Sequence, residues 1–361
     1  MCSETLVAND QTNKEMGEIH MLTFHKASKN VLLLTLVVVL LTVMGCGNSN
    51  EKGTEDKQDN TKKLQDITVV LDWTPNTNHT GLYVARDLGY YEDEGLNVKI
   101  VQPGEAGADT MVAAGNAQFG VSYQEGVTLA RIADVPIVSI AAVIQHNTSG
   151  FAAPIDRNMK TPKDFEGLKY GGGGWPVDAA MIESLMISDN ADFSKVEFVN
   201  TGGADYFNAV KRDIDFAWIF YAWTGVEAEL RGEKLDIVYP KDYGKELDYY
   251  TPVLVTSEKM IADQPDTVKA FMKATSKGYE YAIAEPEQAA DVLIKAEPDL
   301  NKELVIASQK WLSNQYQAEA PRWGEQKLEV WESYTTWMLK YKLLDKELDA
   351  PKAFTNEFLP E

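Results

Sequence analysis

After residue 64 the apolar and polar positions fall into short alternating blocks. "DITVVLD" is β-branched and strand-like, and it stops at the polar turn "WTPNTNH". Leu82, Ala85 and Leu88 then recur at helical spacing, with Gly89 suited to a helix C-cap. "GLNVKIVQ" predicts a strand, "GADTMVAAG" a short helix, "AQFGVS" a strand, "YQEGVTLARIAD" a helix and "VPIVSIAAVIQ" a long buried strand. Short strands alternating with helices predict an α/β lobe around a mainly parallel sheet.

A second round follows "APIDRNMKTPKDFEGL": strand "KYGG", a glycine loop, helix "PVDAAMIESLMI", strand "KVEFVN", helix "YFNAVKRD" and strand "IDFAWIF". The first lobe resumes near "YYTPVLVTSEKM", and amphipathic helices continue to Leu344. A chain that leaves one lobe and returns to it builds two α/β lobes with a ligand cleft between them. The expected division is 64–152 with 253–361 for lobe 1, and 153–252 for lobe 2. "HNTSGFAAP" leaves lobe 1, which makes His146 and Ser149 candidates for hinge positions instead of ligand contacts.

The beginning of the chain obeys a different pattern. Val31 to Met44 is apolar apart from Thr35 and Thr42, and it follows Lys26 and Lys29. That run falls short of the roughly 20 residues of a membrane-spanning helix but suits the core of a secretory signal. Met21 offers a conventional start for it. Val43-Met44-Gly45-Cys46 resembles the lipobox of bacterial lipoproteins, which makes 1–45 a leader, Cys46 the acylated N-terminus and 46–63 a polar tether. The expected location is therefore extracytoplasmic, with a lipid anchor on the membrane; ordinary secretion or a plain membrane anchor is the competing reading.

Charge narrows the partners. With 34 basic and 55 acidic residues the net charge is -21, which disfavours nucleic acid and anionic lipid. Cys46 is the only cysteine once the leader is removed, so no internal disulfide and no thiolate metal cluster is expected. His79 and His146 are the only histidines beyond the leader and stand in no metal-binding spacing. No GxSxG elbow and no GxxxxGK[ST] loop occurs. A binding module, without a cofactor or resident metal, is expected in place of an enzyme.

Four stretches carry candidate chemistry. In Asp72–His79, Trp73 offers a flat stacking face and Asp72 or Asn76 can read a polar edge, while capping and core packing are the structural alternatives. Glu125 follows the strand ending at Ser122, where it either accepts from an amino-heterocycle or complements the next helix's N-terminus. The run Gly171–Gly174 lets backbone approach a ligand closely, or is a flexible linker. In "DFAWIFYAWTGVEAEL", Ile214, Phe216, Trp218 and Phe220 share one parity and suit core packing, which leaves Tyr221 and Trp223 as pocket candidates. Trp311, Trp323, Trp331 and Trp337 are expected to be packing residues.

Taken in order, "LDWTPNTNHTGLYVA", "FGVSYQEGVT", "HNTSGF", "VKRDIDFAWIFYAWTG" and "DYYTPVLVTSEKM" resemble the THI5-like periplasmic binding proteins, over nearly all of residues 66–344. The resemblance implies a two-lobed type II binding-protein fold. It points to the thiamin-precursor branch, whose ligand is N-formyl-4-amino-5-aminomethyl-2-methylpyrimidine and whose partners are an ABC permease and its cytoplasmic ATPase. By the same likeness Trp73, Asn76, His79, Glu125, Gly172, Gly173, Gly174, Tyr221 and Trp223 fall in the pocket-bearing blocks of what would be a monomer. Relatives often carry GGWG-S-P where this chain has Gly171–Gly174 followed by Trp175-Pro176, so one pocket wall departs from the pattern. Related yeast proteins make the pyrimidine from their own histidine and a pyridoxal cofactor, using a cysteine-rich iron motif. His79 keeps that alternative open, beside a receptor for riboflavin or another aromatic heterocycle and a ligand-presenting sensor.

Overall fold

A computed structural model describes residues 63–202 and 204–361. The leader, Cys46 and almost all of the tether lie outside the described residues. Residues 61–361 form a compact unit with its own cores. Among the described residues no helix is long and apolar enough to cross a membrane.

The first part of this unit runs β1 (Gln65–Val70), α1 (Thr80–Asp87), α2 (Tyr90–Asp93), β2 (Leu96–Val101), α3 (Gly107–Ala113), β3 (Phe119–Ser122), α4 (Gln124–Ile132) and β4 (Ile137–Ala142). Then follow β5 (Ser149–Pro154), β6 (Lys169–Gly172), α5 (Pro176–Ser188), β7 (Glu197–Asn200), α6 (Tyr206–Ala209), β8 (Phe216–Phe220), α7 (Val226–Arg231) and β9 (Leu235–Val238). The chain finishes with β10 (Val253–Ser257), α8 (Glu258–Asp263), α9 (Pro265–Ala284), α10 (Pro286–Ala296), α11 (Lys302–Leu312) and α12 (Leu328–Lys340).

The strands form two five-stranded sheets in the orders β2-β1-β3-β10-β4 and β7-β6-β8-β5-β9. In each sheet the first three strands are parallel and the fourth is antiparallel to both neighbours. The antiparallel strand is the one the chain forms on entering: β5 on reaching the second sheet and β10 on returning to the first. β1 and β6 therefore hold the same place in their sheets, and so do β3 and β8.

One core surrounds the first sheet, from Val69, Phe119 and Leu254 to Phe271 and Trp323 on the covering helices and loops. Phe119 and Phe271 stack with ring centres 3.7 Å apart. Helices α1 and α9 meet almost backbone to backbone. A Cβ on Gly278 would lie 2.1 Å from the Gly81 carbonyl oxygen, and one on Gly81 would lie 2.3 Å from the Tyr279 ring. Around the second sheet, Phe151, Phe165, Tyr170, Met181 and Phe216 form another core. Tyr334, Trp337 and Met338 of α12 belong to this second core although the chain has already returned, so α12 reaches back across.

Candidate functional site

The matched sheets place four side chains by one rule. Trp73, Glu125, Trp175 and Trp223 each stand three residues past the C-terminal end of β1, β3, β6 and β8 respectively. Ligands of open α/β sheets are held outside the carboxyl ends of strands, where loops replace paired backbone.

The turn after β1 is built mostly from its own polar groups. Asn76 Oδ1 accepts from Asn78 N at 2.9 Å, and Asn76 Nδ2 donates to the Thr74 carbonyl at 3.0 Å. Nδ1 of His79 accepts from Asn76 N at 3.2 Å, so the proton sits on Nε2, which donates to Asp72 Oδ1 at 2.7 Å. His79 is fully buried. Tyr279 and Tyr316 hydroxyls donate to the carbonyls of Asn78 and Thr77, anchoring the turn to α9 and to the loop after α11. Trp73 projects outward, 69% exposed, beside the exposed Thr74. Within this block Asn76 and His79 shape the turn, and Trp73 offers a free face.

After β3, Tyr123 is partly exposed and Glu125 occupies the first turn of α4. Burial, and then the nearby Asp178 carboxyl, push the Glu125 carboxyl up to about 7. Asp178 opens α5 after β6, so each lobe contributes one of these two acids. Asp178 is buried, which raises its carboxyl, while bonds from the Tyr170 hydroxyl and the Trp175 backbone oppose that rise. Asp109 is also raised by burial; it accepts from Ser122 at 3.0 Å and feels Asp72. Acidic groups thus gather at the strand ends of both sheets. Among the described residues no group of three or more histidine, cysteine or acidic side chains is arranged to hold a metal ion.

The glycine run after β6 has an internal reason. A Cβ on Gly172 would lie 2.6 Å from Asp178 Oδ2, and one on Gly173 would lie 2.2 Å from the Trp175 indole nitrogen. Gly174 has φ +78°, a left-handed conformation that side chains resist. The missing side chains make room for Asp178 and let the indole lie back over backbone. Trp175 remains 67% exposed.

Beyond β8 the chain makes a π-helical turn, Tyr221–Gly225. Tyr221 bonds Glu229 through its hydroxyl and packs on Trp311 with ring centres 5.0 Å apart. Trp223 packs against the small cluster of Tyr83, Ala290, Leu293 and Val305. The Ser308 hydroxyl donates to the Ala222 carbonyl and sits 2.6 Å from Thr77 Oγ1. Tyr221 and Trp223 are therefore placed where the π-turn meets α10 and α11, and Ser308 joins that turn to the loop after β1. Asp178, Asp109 and Tyr123 are residues near the strand ends that sequence reasoning passed over, while Trp175 entered it only as a departure in one pocket wall. The one available signal was Trp-Pro-x-Asp at a helix start, with Pro at N1 and an acid in the first turn.

This architecture is the two-lobed α/β fold of the periplasmic binding proteins, with loops at matched strand ends. The Escherichia coli periplasmic aliphatic sulphonate binding protein superposes with a TM-score of 0.62 at 13% identity, over 80% of this chain and 97% of its own. The family described as NMT1/THI5 like matches residues 76–289, and the chain belongs to it. A formylaminopyrimidine-binding protein of Halalkalibacterium halodurans is 27% identical, over 91% of this chain and 99% of its own. A 4-amino-5-hydroxymethyl-2-methylpyrimidine phosphate synthase of Legionella pneumophila is 26% identical, over 82% of this chain and 92% of its own.

Proposed function

We propose that the chain is the extracytoplasmic substrate-binding component of an ABC importer. Its ligand would be N-formyl-4-amino-5-aminomethyl-2-methylpyrimidine or a close pyrimidine precursor of thiamin, delivered chemically unchanged to a permease with its ATPase. The observation that carries this reading is the pair of exposed tryptophans, Trp73 and Trp175, at equivalent strand ends of the two sheets. Two indoles, one from each lobe, suit the two faces of a flat ring. Glu125 and Asp178 supply acceptors for exocyclic amino hydrogens at its edge. The family assignment and the formylaminopyrimidine-binding relative support the same ligand class. Acylation of Cys46, with 46–63 as tether, two lobes divided near 152 and 253, and a monomeric state complete the proposal.

Synthesis of the pyrimidine is the second reading, motivated by the Legionella relative and by His79 in "NTNHTG". The setting of His79 favours a structural role over consumption: it is fully buried and both ring nitrogens are engaged. Mass spectrometry on purified residues 61–361 separates the readings. One pyrimidine bound per chain and recovered unchanged supports a receptor. Product formation, or loss of the His79 side chain with iron and pyridoxal phosphate, overturns it. Riboflavin, taurine and thiamin in the same panel test the ligand class.

A further inference from the structure

We propose that His146 is the charged tie of the hinge: its imidazolium joins both chain crossovers and the C-terminal segment, and its proton sets how readily the lobes separate. The chain crosses from the first sheet to the second through residues 143–148 and returns through 248–252. His146 lies on the outward crossing. Its Nδ1 is 2.6 Å from Asp248 Oδ2 on the return crossing, and its Nε2 is 2.9 Å from Glu319 Oε2 in the loop after α11.

Neighbouring bonds fix the same junction. Asp248 Oδ1 accepts from Asn147 N at 2.8 Å, and Asn147 Nδ2 donates to the Leu247 carbonyl at 3.0 Å. Val143 N donates to the Pro252 carbonyl at 3.0 Å, and Gln145 Nε2 donates to the Glu325 carbonyl at 3.0 Å. Most of these bonds are indifferent to pH in the neutral range. The imidazole is not. Each ring nitrogen faces a carboxylate oxygen, so each must donate, and only the protonated ring carries two N–H groups.

The surrounding charges agree with that requirement. The bond to Asp248 is the largest influence and burial opposes it; with Glu319 added, the imidazole is pushed up to about 9. Lys327 faces Glu319, Tyr250 feels both Asp248 and Glu319, and Arg322 is occupied 2.9 Å from Glu325. A histidine whose proton is held more tightly when folded stabilises the folded arrangement fully below its free value near 6.5. That contribution fades as pH rises and is gone above about 9. Loss of the proton turns one ring lone pair toward a carboxylate, which replaces attraction by repulsion.

The consequence is mechanical because the lobes also touch away from the hinge. The Ser308 hydroxyl bonds the Ala222 carbonyl and Tyr221 packs on Trp311, contacts that link the turn after β8 to α11. Releasing the tie gives the crossings freedom to swing those contacts apart.

The test uses residues 61–361 without ligand, so its failure is distinguishable from a wrong ligand. Only two histidines, His79 and His146, lie in this unit, which makes imidazole NMR assignable by His146→Gln. His146 is expected to titrate near 9, and Asp248→Asn is expected to move the midpoint down toward 6.5. Small-angle scattering is expected to show wild type expanding between pH 7.5 and 10, with His146→Gln expanded at both and insensitive to pH. Glu319→Gln removes the more exposed partner and serves where His146→Gln misfolds; its midpoint is expected to fall as well. A His146 midpoint near 6.5 overturns the proposal. So does an identical pH response of scattering in wild type and in a His146 or Glu319 variant with native circular dichroism.

Discussion

His79 Nε2 donates to Asp72 Oδ1 at 2.7 Å across a turn whose histidine is fully buried and whose tryptophan is 69% exposed. The turn thus has a structural back and a free front. Removing a fully buried imidazole that satisfies both an acid and a backbone N–H takes a partner from two part-buried groups.

His79→Ala is accordingly expected to destabilise. Each buried group left without a partner costs roughly 1 to 3 kcal/mol. Both Asp72 Oδ1 and Asn76 N lose their bond to the ring. Urea unfolding of the variant should show a lower midpoint with an unchanged denaturant slope. An unfolding midpoint equal to wild type would remove the structural account of this histidine.

Trp73 and Trp175 should behave oppositely. Both are about two-thirds exposed, so truncation to alanine leaves little core to lose. If they sandwich a flat ring, each supplies aromatic packing worth about 0.5 to 1.5 kcal/mol beyond buried area. Calorimetry should show weaker binding of formylaminopyrimidine and of other flat ligands alike, with the thermal midpoint held. Full affinity in the double variant would leave the ring unclamped and the proposed site misplaced.

The alternation of strands and helices was legible because β1, β3 and β6 are bounded by turn chemistry, because α1 keeps helical spacing, and because α5 opens with proline and an acid in its first turn. β5 was not. "SGFAAP" has small residues, ends in proline and carries no alternation, and it becomes a strand only through distant pairing with β8 and β9. The same holds for β9, whose "LDIV" is too short to announce itself. In the site, Trp73 was legible as a residue on a polar turn. The engagement of Trp223 by α10 and α11 was not, since those helices arrive some 60 residues later or more. Gly172 and Gly173 have a further cause beside the proposed ligand, the room taken by Asp178 and Trp175, and Gly174 has its positive φ. Local spacing shows that side chains are missing but not what fills the space.

The approach of α1 to α9 offers a test of packing separate from ligand binding. Gly278→Ala places a methyl group 2.1 Å from the Gly81 carbonyl, a contact that backbone must yield to. Overpacking of this kind typically costs 1 to 3 kcal/mol. The expected result is a lower thermal midpoint, since α9 also supplies Phe271 and Tyr279 to the first core. Unchanged stability would mean that the two helices separate freely there.

Glu125 supplies the pH dependence of the proposed site. Burial is the main cause that raises its carboxyl to about 7, and Asp178 adds to it. For an acid raised on folding, the folded state holds the proton more tightly, so this group favours folding most below about 4.5, and the advantage fades as pH rises through about 7. Ligand binding should follow the opposite course. An exocyclic amine needs an acceptor, and the ionised carboxylate is the stronger one. Affinity for formylaminopyrimidine is therefore expected to rise between pH 6 and 8, with a midpoint near 7. Tyr123, Tyr249 and Tyr334 all feel this carboxylate, but burial holds their hydroxyls above the ordinary tyrosine range, so they stay protonated throughout. Glu125→Gln should flatten the profile and erase the preference for the amine-bearing ligand over an analogue without it. Asp178→Asn should keep a profile but move its midpoint down, because Glu125 then ionises beside a neutral neighbour. Calorimetry across pH on the three folded proteins decides the matter. A Glu125→Gln profile that matches wild type would assign the specificity to another group and return Glu125 to the first turn of α4 as a structural acid.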